Sequence, residues 1–406
     1  MVFGEIVLTR KCLSHFVVCL RSSARQLVEN VPDLQYLVAD YLAEVTMCIL
    51  ARAKSKVKSF YLTLIYFEKS SDSKGAGEGG FVKEFLDTVY KPLMEPIIKR
   101  GIKIVTNAGG MNPLALKYAI EKATREANMP VPVVAAVYGD DILDKAYEFK
   151  NNNKFDKFSV EGQEEQLWPE DKILMSCNAY TGAFPIAKAL SEGAQIVITG
   201  RCVDSAIVLG PLIFEFGWKE SNLDLLSSGS LAGHLIECGT QCTGGNSTDW
   251  LLSYSNGWDN VGYPILVYYE DGTFDITKPP NTGGLVSIAT VSEQLLYEIH
   301  DPQNYILPDV VCDWSNVNIT QKSSNLVHIK GAKGKPPTKY FKVACTTFGG
   351  FKLSAMLMIG GIDAKLKANA VGYSIIKRSQ FLMKKYGFSD YQQVNIELLG
   401  SDHSNI

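Results

Sequence analysis

An α/β fold is predicted for this chain: a mostly parallel sheet with helices on both faces, followed by an α+β part with antiparallel strands. Three observations predict it. Short runs rich in Val and Ile alternate with helical patterns between residues 102 and 199. Those runs are apolar at successive positions, as strands buried on both faces must be. After residue 260 an Asp-Gly turn and a longer polar loop separate apolar runs directly, which is hairpin chemistry.

Taken in order, residues 1–23 form an atypical N-terminus. "RKCLSHFVVCLRSSA" has the basic lead, short apolar core and small residues of a secretory signal, but Ser14 and His15 interrupt the core and Glu5 is misplaced. A cytoplasmic location is expected instead. From residue 24 to about 52 the pattern is helix, break at Pro32, strand and helix, with Leu42, Val45 and Ile49 at helical spacing. Residues 55–79, rich in Ser, Lys and Gly, read as an insertion. Residues 80–100 resume a helix with Phe81, Phe85, Val89, Leu93 and Ile97 on one side. The strands "IKIVT" (102–106), "VPVVAAVY" (131–138), "KILMSC" (172–177) and "AQIVIT" (194–199) then alternate with helices, which the pattern places in one parallel sheet. "YPILVYYEDGTFDIT" and "VNITQKSSNLVHI" are hairpins; "YFKVACTTF" and "FKLSAMLMI" read as strands. A long helix over 363–385 and a last strand near 394–399 complete the chain. The expected division is an α/β core over 24–259 and its α+β continuation over 260–406.

The 406 residues carry 40 Lys and Arg against 43 Asp and Glu, a net charge of −3, with 46% hydrophobic and 20% charged residues. That balance is ordinary for a soluble protein and gives no electrostatic footprint for nucleic acid or an anionic membrane. No apolar run reaches the roughly 18 residues that a membrane span needs. Nine cysteines lie scattered without a C-x-x-C pair, and no histidine pair completes a zinc set around Cys238 and Cys242. Reduced thiols fit this better than a disulfide framework.

Ligands of open parallel sheets bind beyond the carboxyl ends of the strands, so those ends give the candidate site. "GIKIVTNAGGMNP" (101–113) ends its strand on Asn107, Gly109, Gly110 and Asn112. Glycine lets backbone approach a ligand closely, and the next helix begins with N–H groups open to an anion. A phosphate or carboxylate cradle is one expectation. A structural turn, with Asn107 and Asn112 capping backbone groups, is the other. Further ends carry Asp140 and Asp141, then Asn178 and Tyr180, then Arg201 and Asp204. Arg201 offers a planar fork suited to carboxylate or phosphate; Asp204 either fixes that fork, binds a metal or acts as a base. His234 and Glu237 stand three apart on a helix, hence on one face, as an acid–base pair, two metal ligands or a satisfied polar pair. "KPPNTGG" joins Lys278 to a second glycine turn at Gly283 and Gly284. "GAGEGG" lacks a preceding strand, so a dinucleotide is not expected, and no nucleophile elbow or P-loop occurs. No cofactor or metal is assigned.

The segments "YLVADYLAEVTMCILAR", "RGIKIVTNAGGMNP", "CNAYTGAFPIAKALSEGAQIVITGRCVDSAIVLGPLIFEFGW", "LAGHLIECGTQCTGG", "TKPPNTGGLVSIATVSEQLLYEIHDPQNYILPDVV" and "GIDAKLKA" together resemble the acyclic terpene utilisation (AtuA) N-terminal domain family, over roughly residues 24 to 400. The resemblance implies an acyl-CoA or related branched carboxylate as ligand, and a lyase or hydrolase step. The family carries over no established catalytic residues, so the roles of Asp204, His234 and Glu237 come from their chemistry. The alternatives are a non-catalytic adaptor or assembly subunit, and a metal-dependent hydrolase using Asp140, Asp141, His234 and Glu237. A small-molecule substrate, with a CoA thioester the leading candidate, is the expected partner; an oligomer is compatible. Members of that family open with a first strand and a glycine-rich turn, which residues 1–23 do not match, and residues 55–74 are additional.

Overall fold

The computed structural model describes residues 2–10, as backbone only, and 20–54, 79–152, 154–155 and 173–400. The expected insertion lies outside these ranges, apart from Gly79.

Strand β1 (Val2–Arg10) is followed by α1 (Leu20–Asn30), β2 (Leu34–Asp40) and α2 (Glu44–Lys54). A π-helical turn (Phe85–Tyr90) runs into α3 (Lys91–Arg100), and β3 (Lys103–Thr106), α4 (Pro113–Glu126), β4 (Val134–Val137) and α5 (Ala146–Asn151) come next. Then follow β5 (Leu174–Ala179), α6 (Phe184–Ser191), β6 (Ile196–Thr199), α7 (Ala206–Phe216), α8 (Leu223–Glu237) and α9 (Trp250–Tyr254). The later elements are β7 (Ile265–Tyr269), β8 (Phe274–Thr277), α10 (Ile288–Leu296), β9 (Tyr305–Ile306), β10 (Val311–Asp313), β11 (Asn318–Ser323) and β12 (Leu326–Lys330). Last come β13 (Lys333–Lys335), β14 (Val343–Thr347) and α11 (Ala364–Lys385).

Nine strands form one sheet in the order β11-β12-β8-β7-β1-β2-β3-β6-β4. β1, β2, β3, β6 and β4 are parallel to their neighbours. β7, β8, β12 and β11 extend the same sheet as an antiparallel array. β1 is the seam, parallel to β2 along one edge and antiparallel to β7 along the other. The mixed α/β class is therefore as expected.

Successive strand residues feed two different cores, which explains the uninterrupted apolar runs. In β2, Leu37 and Ala39 pack with α1, α3 and α4, while Tyr36 and Val38 pack with α6, α7 and α8. Ile104 and Val105 in β3, and Ile196 and Val197 in β6, divide the same way. A side-chain period of two leaves no polar face when both faces carry helices.

Three strand expectations need correction. "KILMSC" does form a strand, β5, but it stands outside the main sheet and pairs antiparallel with β14. Residues 351–359 and 394–399 form no strand; their apolar residues find no partner edge to pair with, and a strand needs one. The expected helix over 80–100 is present with Phe81, Phe85, Val89, Leu93 and Ile97 all buried, but its first part is a π turn. Pro92 stands in the first turn of the helix that follows, after Lys91, where a proline's missing N–H has no partner to lose.

The chain divides into two compact units, Met1–Phe348 and Gly349–Ile406. The first holds both cores. The second consists of α11 and flanking irregular chain, with Ile396 packed beside Gly372 and Gln380 hydrogen-bonded to Asp390.

Candidate functional site

The carboxyl ends of β2, β3, β4 and β6 meet in a buried polar cluster. Asn107, just after β3, accepts a hydrogen bond from the Tyr41 N–H at 2.7 Å and donates to Asp40 Oδ1 at 2.5 Å. It thereby ties the ends of β2 and β3 together. Asn112 caps α4, accepting from Ala115 N–H, and its amide donates to the Gly79 carbonyl.

Most N–H groups of the turn expected to cradle an anion are bonded within the protein. The N–H groups of Ala108, Gly110, Met111 and Asn112 are bonded to Thr106 Oγ1 and to the carbonyls of Asn107, Gly80 and Gly109. The two glycines admit protein, not ligand. A Cβ on Gly109 would lie 2.5 Å from the Thr199 carbonyl oxygen, and one on Gly110, whose φ is 52°, would lie 2.3 Å from Leu50. The capping alternative is the one the geometry bears out.

Asp140, beyond β4, accepts from Asn178 Nδ2 and from the Arg201 N–H, each at 2.8 Å. Gly200 makes room for that carboxylate: a Cβ there would sit 2.1 Å from Asp140 Oδ1. Burial raises the Asp140 pKa, against the pull of the Arg201 N–H and the Asn178 amide. Asp141 turns away toward Lys54, 3.1 Å distant.

Arg201 is the centre of the arrangement and is only 4% exposed. Its Nη1 donates to Asp204 Oδ1 at 2.7 Å and to the Leu42 carbonyl at 3.1 Å, and the guanidinium lies 4.1 Å from the centre of the Tyr180 ring. Burial pushes the arginine pKa down, but Asp204, Tyr180 and Asp40 outweigh it and hold the charge in place. The Nε of Arg201 and the Oδ1 of Asn178 are buried without a hydrogen-bond partner. The Tyr180 hydroxyl donates to the Glu44 carboxylate. Burial opposes the ionised form of Glu44, yet that bond, its own backbone, Arg201 and Lys342 hold its pKa below the usual range.

At the end of α8, His234 Nδ1 lies 3.3 Å from Glu237 Oε1, and the ring stacks on Trp314. His234 Nε2 is 3.2 Å from the Leu295 carbonyl. A carbonyl can only accept, so Nε2 carries a proton toward Leu295, and Nδ1 faces the Glu237 carboxyl. Burial pushes the Glu237 pKa up to about 7; Asp204 and Asp40 add to this and His234 opposes it. The phenol of Tyr305 is held protonated by burial and by Glu237 and Asp204.

Asn107, Asn178, Tyr180, Arg201, Asp204, His234 and Glu237 thus belong to one connected neighbourhood, with Asp204, its side chain 25% exposed, the member that reaches solvent. Lys278, Gly283 and Gly284 do not join it. Lys278 donates to the Thr282 carbonyl within its own loop, and both glycines pack against residues 243 and 256–261. Among the described residues no three His, Cys, Asp or Glu side chains gather as a metal site. The donor set expected for a metal-dependent hydrolase is therefore not assembled. Sequence reasoning missed Asp40, Glu44 and Tyr305. Asp40 had a visible signal, an acid closing the run "LQYLVAD"; the other two depend on tertiary contacts.

A family model described as acyclic terpene utilisation family protein AtuA matches residues 11–406. No curated protein and no solved structure matches the chain.

Proposed function

This chain belongs to the acyclic terpene utilisation family AtuA, and from that premise we propose that it is a catabolic enzyme acting on a branched acyl-CoA or related carboxylate. The step is a lyase or hydrolase step. Arg201 is the anion-binding group: Asp204 and Leu42 hold one end of its fork, and the Nε–H edge is left for a substrate carboxylate or thioester oxygen. Glu237, with its pKa pushed up to about 7, exchanges a proton with the bound substrate, and His234 and Leu295 fix its orientation. Asp204 sits beside Arg201 and is the member of the cluster open to solvent.

The unpartnered Arg201 Nε is the observation that carries this reading. A buried donor left without an acceptor costs about 1–3 kcal/mol, and more when it is charged, so this one calls for an acceptor, which a bound substrate carboxylate would supply. Asp204, which Arg201 holds at 2.7 Å, also acts electrostatically on Glu237, a carboxyl pushed up to about 7, and this link joins the arginine to a candidate acid–base group.

A second reading, a non-catalytic adaptor, draws support from the hydrogen bonds of Asn107, Asn112 and Asp140, all of which tie strand ends together. One titration separates the two. A branched acyl-CoA thioester is expected to raise the melting temperature of the purified protein, and Arg201→Lys, which keeps the charge and loses the fork, is expected to abolish the rise. A flat response of the unmodified protein across a panel of CoA thioesters favours the adaptor.

A further inference from the structure

The two-stranded sheet beside the site holds a pair of thiols that the proposed chemistry leaves unused. Cys177 of β5 and Cys345 of β14 are direct partners in the antiparallel register. The Cys177 carbonyl accepts from Ile142 N–H and the Ala179 N–H donates to the Asp140 carbonyl, so these residues turn their backbone polar groups away from β14. Tyr180 N–H instead donates to the Lys342 carbonyl, toward the β14 side. Cys177 and Cys345 are therefore a non-hydrogen-bonded pair. In such pairs the Cα atoms approach to roughly 4.5 Å and the side chains lie closest.

The two sulfurs are 3.2 Å apart. A disulfide needs about 2.05 Å between sulfurs and roughly 4.4–6.8 Å between Cα atoms. Small side-chain rotations close that gap with no slip of the strands. The partners also differ in access, since Cys345 is exposed and Cys177 is buried. A hydrogen bond with Cys177 holds the Cys345 thiol below its usual pKa, while the same contact and burial hold Cys177 above its own.

We propose that Cys177 and Cys345 form a reversible redox pair that takes a hydroperoxide as its oxidant, with Cys345 attacking and Cys177 resolving. The Cys345 thiolate attacks the terminal peroxide oxygen. The O–O bond breaks, giving a sulfenic acid on Cys345 and releasing the alcohol, or water from hydrogen peroxide. Cys177 then loses its proton and attacks the sulfenic sulfur, forming the S–S bond as water leaves. Two thiols are oxidised and one peroxide is reduced.

The bond would act on the neighbouring site. Cys177 adjoins Asn178, whose amide holds Asp140, and the same strand leads to Tyr180 beneath Arg201. Opposite, β14 begins beside Lys342, whose ammonium is 4.6 Å from the Tyr180 ring centre and 3.9 Å from Glu44. A disulfide fastens the strand carrying Tyr180 to the strand preceded by Lys342, and so stiffens this wall of the cluster.

The test needs no catalytic assay, so it stands or fails apart from the proposed reaction. The reduced full chain is treated with equimolar hydrogen peroxide, alkylated and mapped without reduction. A cross-link between the peptides carrying Cys177 and Cys345 is expected, lost with dithiothreitol and lost in Cys345→Ser, a change at an exposed position. In Cys177→Ala the sulfenic acid is expected to persist on Cys345 and to be captured by dimedone. Both thiols remaining alkylatable, or Cys345 passing to sulfinic acid with Cys177 untouched, would overturn the proposal.

Discussion

Glu237 lies fully inside the protein, and its carboxyl is pushed up to about 7 from 4.5, by burial first and then by Asp204 and Asp40, against the pull of His234. A carboxyl that binds its proton more tightly when folded adds stability at low pH. That contribution is complete below about 4.5 and is lost as pH rises through about 7. Asp309, pushed up to about 6 mainly by burial, acts in the same direction but is fully ionised earlier. The two overlap near pH 6, and Glu237 extends the slope to about pH 7.5. Glu237→Gln keeps the shape and removes the titration. It is expected to flatten the stability profile there and to exceed the unmodified protein at pH 8 by on the order of 2 kcal/mol. Urea denaturation at three pH values measures this, and parallel profiles would remove the assignment of a raised pKa. The same variant, if the proposed chemistry holds, loses turnover while still binding the thioester, since Arg201 is untouched.

The turn after β3 shows how strand ends are held together, and it yields a stability prediction. Gly109 lies against the Thr199 carbonyl, Ile198 and Pro113, all closer than a Cβ allows. Gly109→Ala must push β6 from β3 or lift the start of α4, at a cost of about 1–3 kcal/mol by thermal or chemical denaturation. An unchanged midpoint would show that the turn yields easily. The sequence announced that something approaches this turn closely; it did not say whether that was ligand or protein, because glycine serves both. The parallel strands were legible for a firmer reason: burial on both faces leaves adjacent Val and Ile residues in β3 and β6, so composition alone marks them. Pairing partners were not legible. β5 has the composition of a buried strand, yet nothing in "KILMSC" says that it would leave the main sheet for β14. Asp40 was overlooked because no glycine turn follows it, although Arg201, Glu237 and Asn107 all feel its charge or bond to it. Arg201, Asp204, His234 and Glu237 were found because polar residues following apolar strands, or spaced three apart on a helix, can be counted along the chain.

The two units differ in what holds them together. Met1–Phe348 contains both cores and the entire polar cluster, whereas no described residue of Gly349–Ile406 is buried. Leu353, Met356, Met358 and Ile362 are each at least 80% exposed. Ordering a backbone costs about 1–2 kcal/mol per residue, and burial returns roughly 25 cal/mol for each Å² of apolar surface removed from water. A segment with no buried side chain has little of that return of its own. A chain ending at Phe348 keeps the hydrogen bond from Phe348 N–H to the Ile173 carbonyl, and with it the end of the β5–β14 pair. Such a chain is expected to melt within about 2 °C of the full one, the shift that roughly 1–2 kcal/mol produces in a domain this large. It is also expected to bind less of a dye that reports exposed apolar surface, since Leu353, Met356, Met358 and Ile362 are removed. Differential scanning calorimetry decides the point. A large fall in melting temperature would mean that the apolar residues of 349–406 are covered in solution and that the second unit is part of what holds the first together.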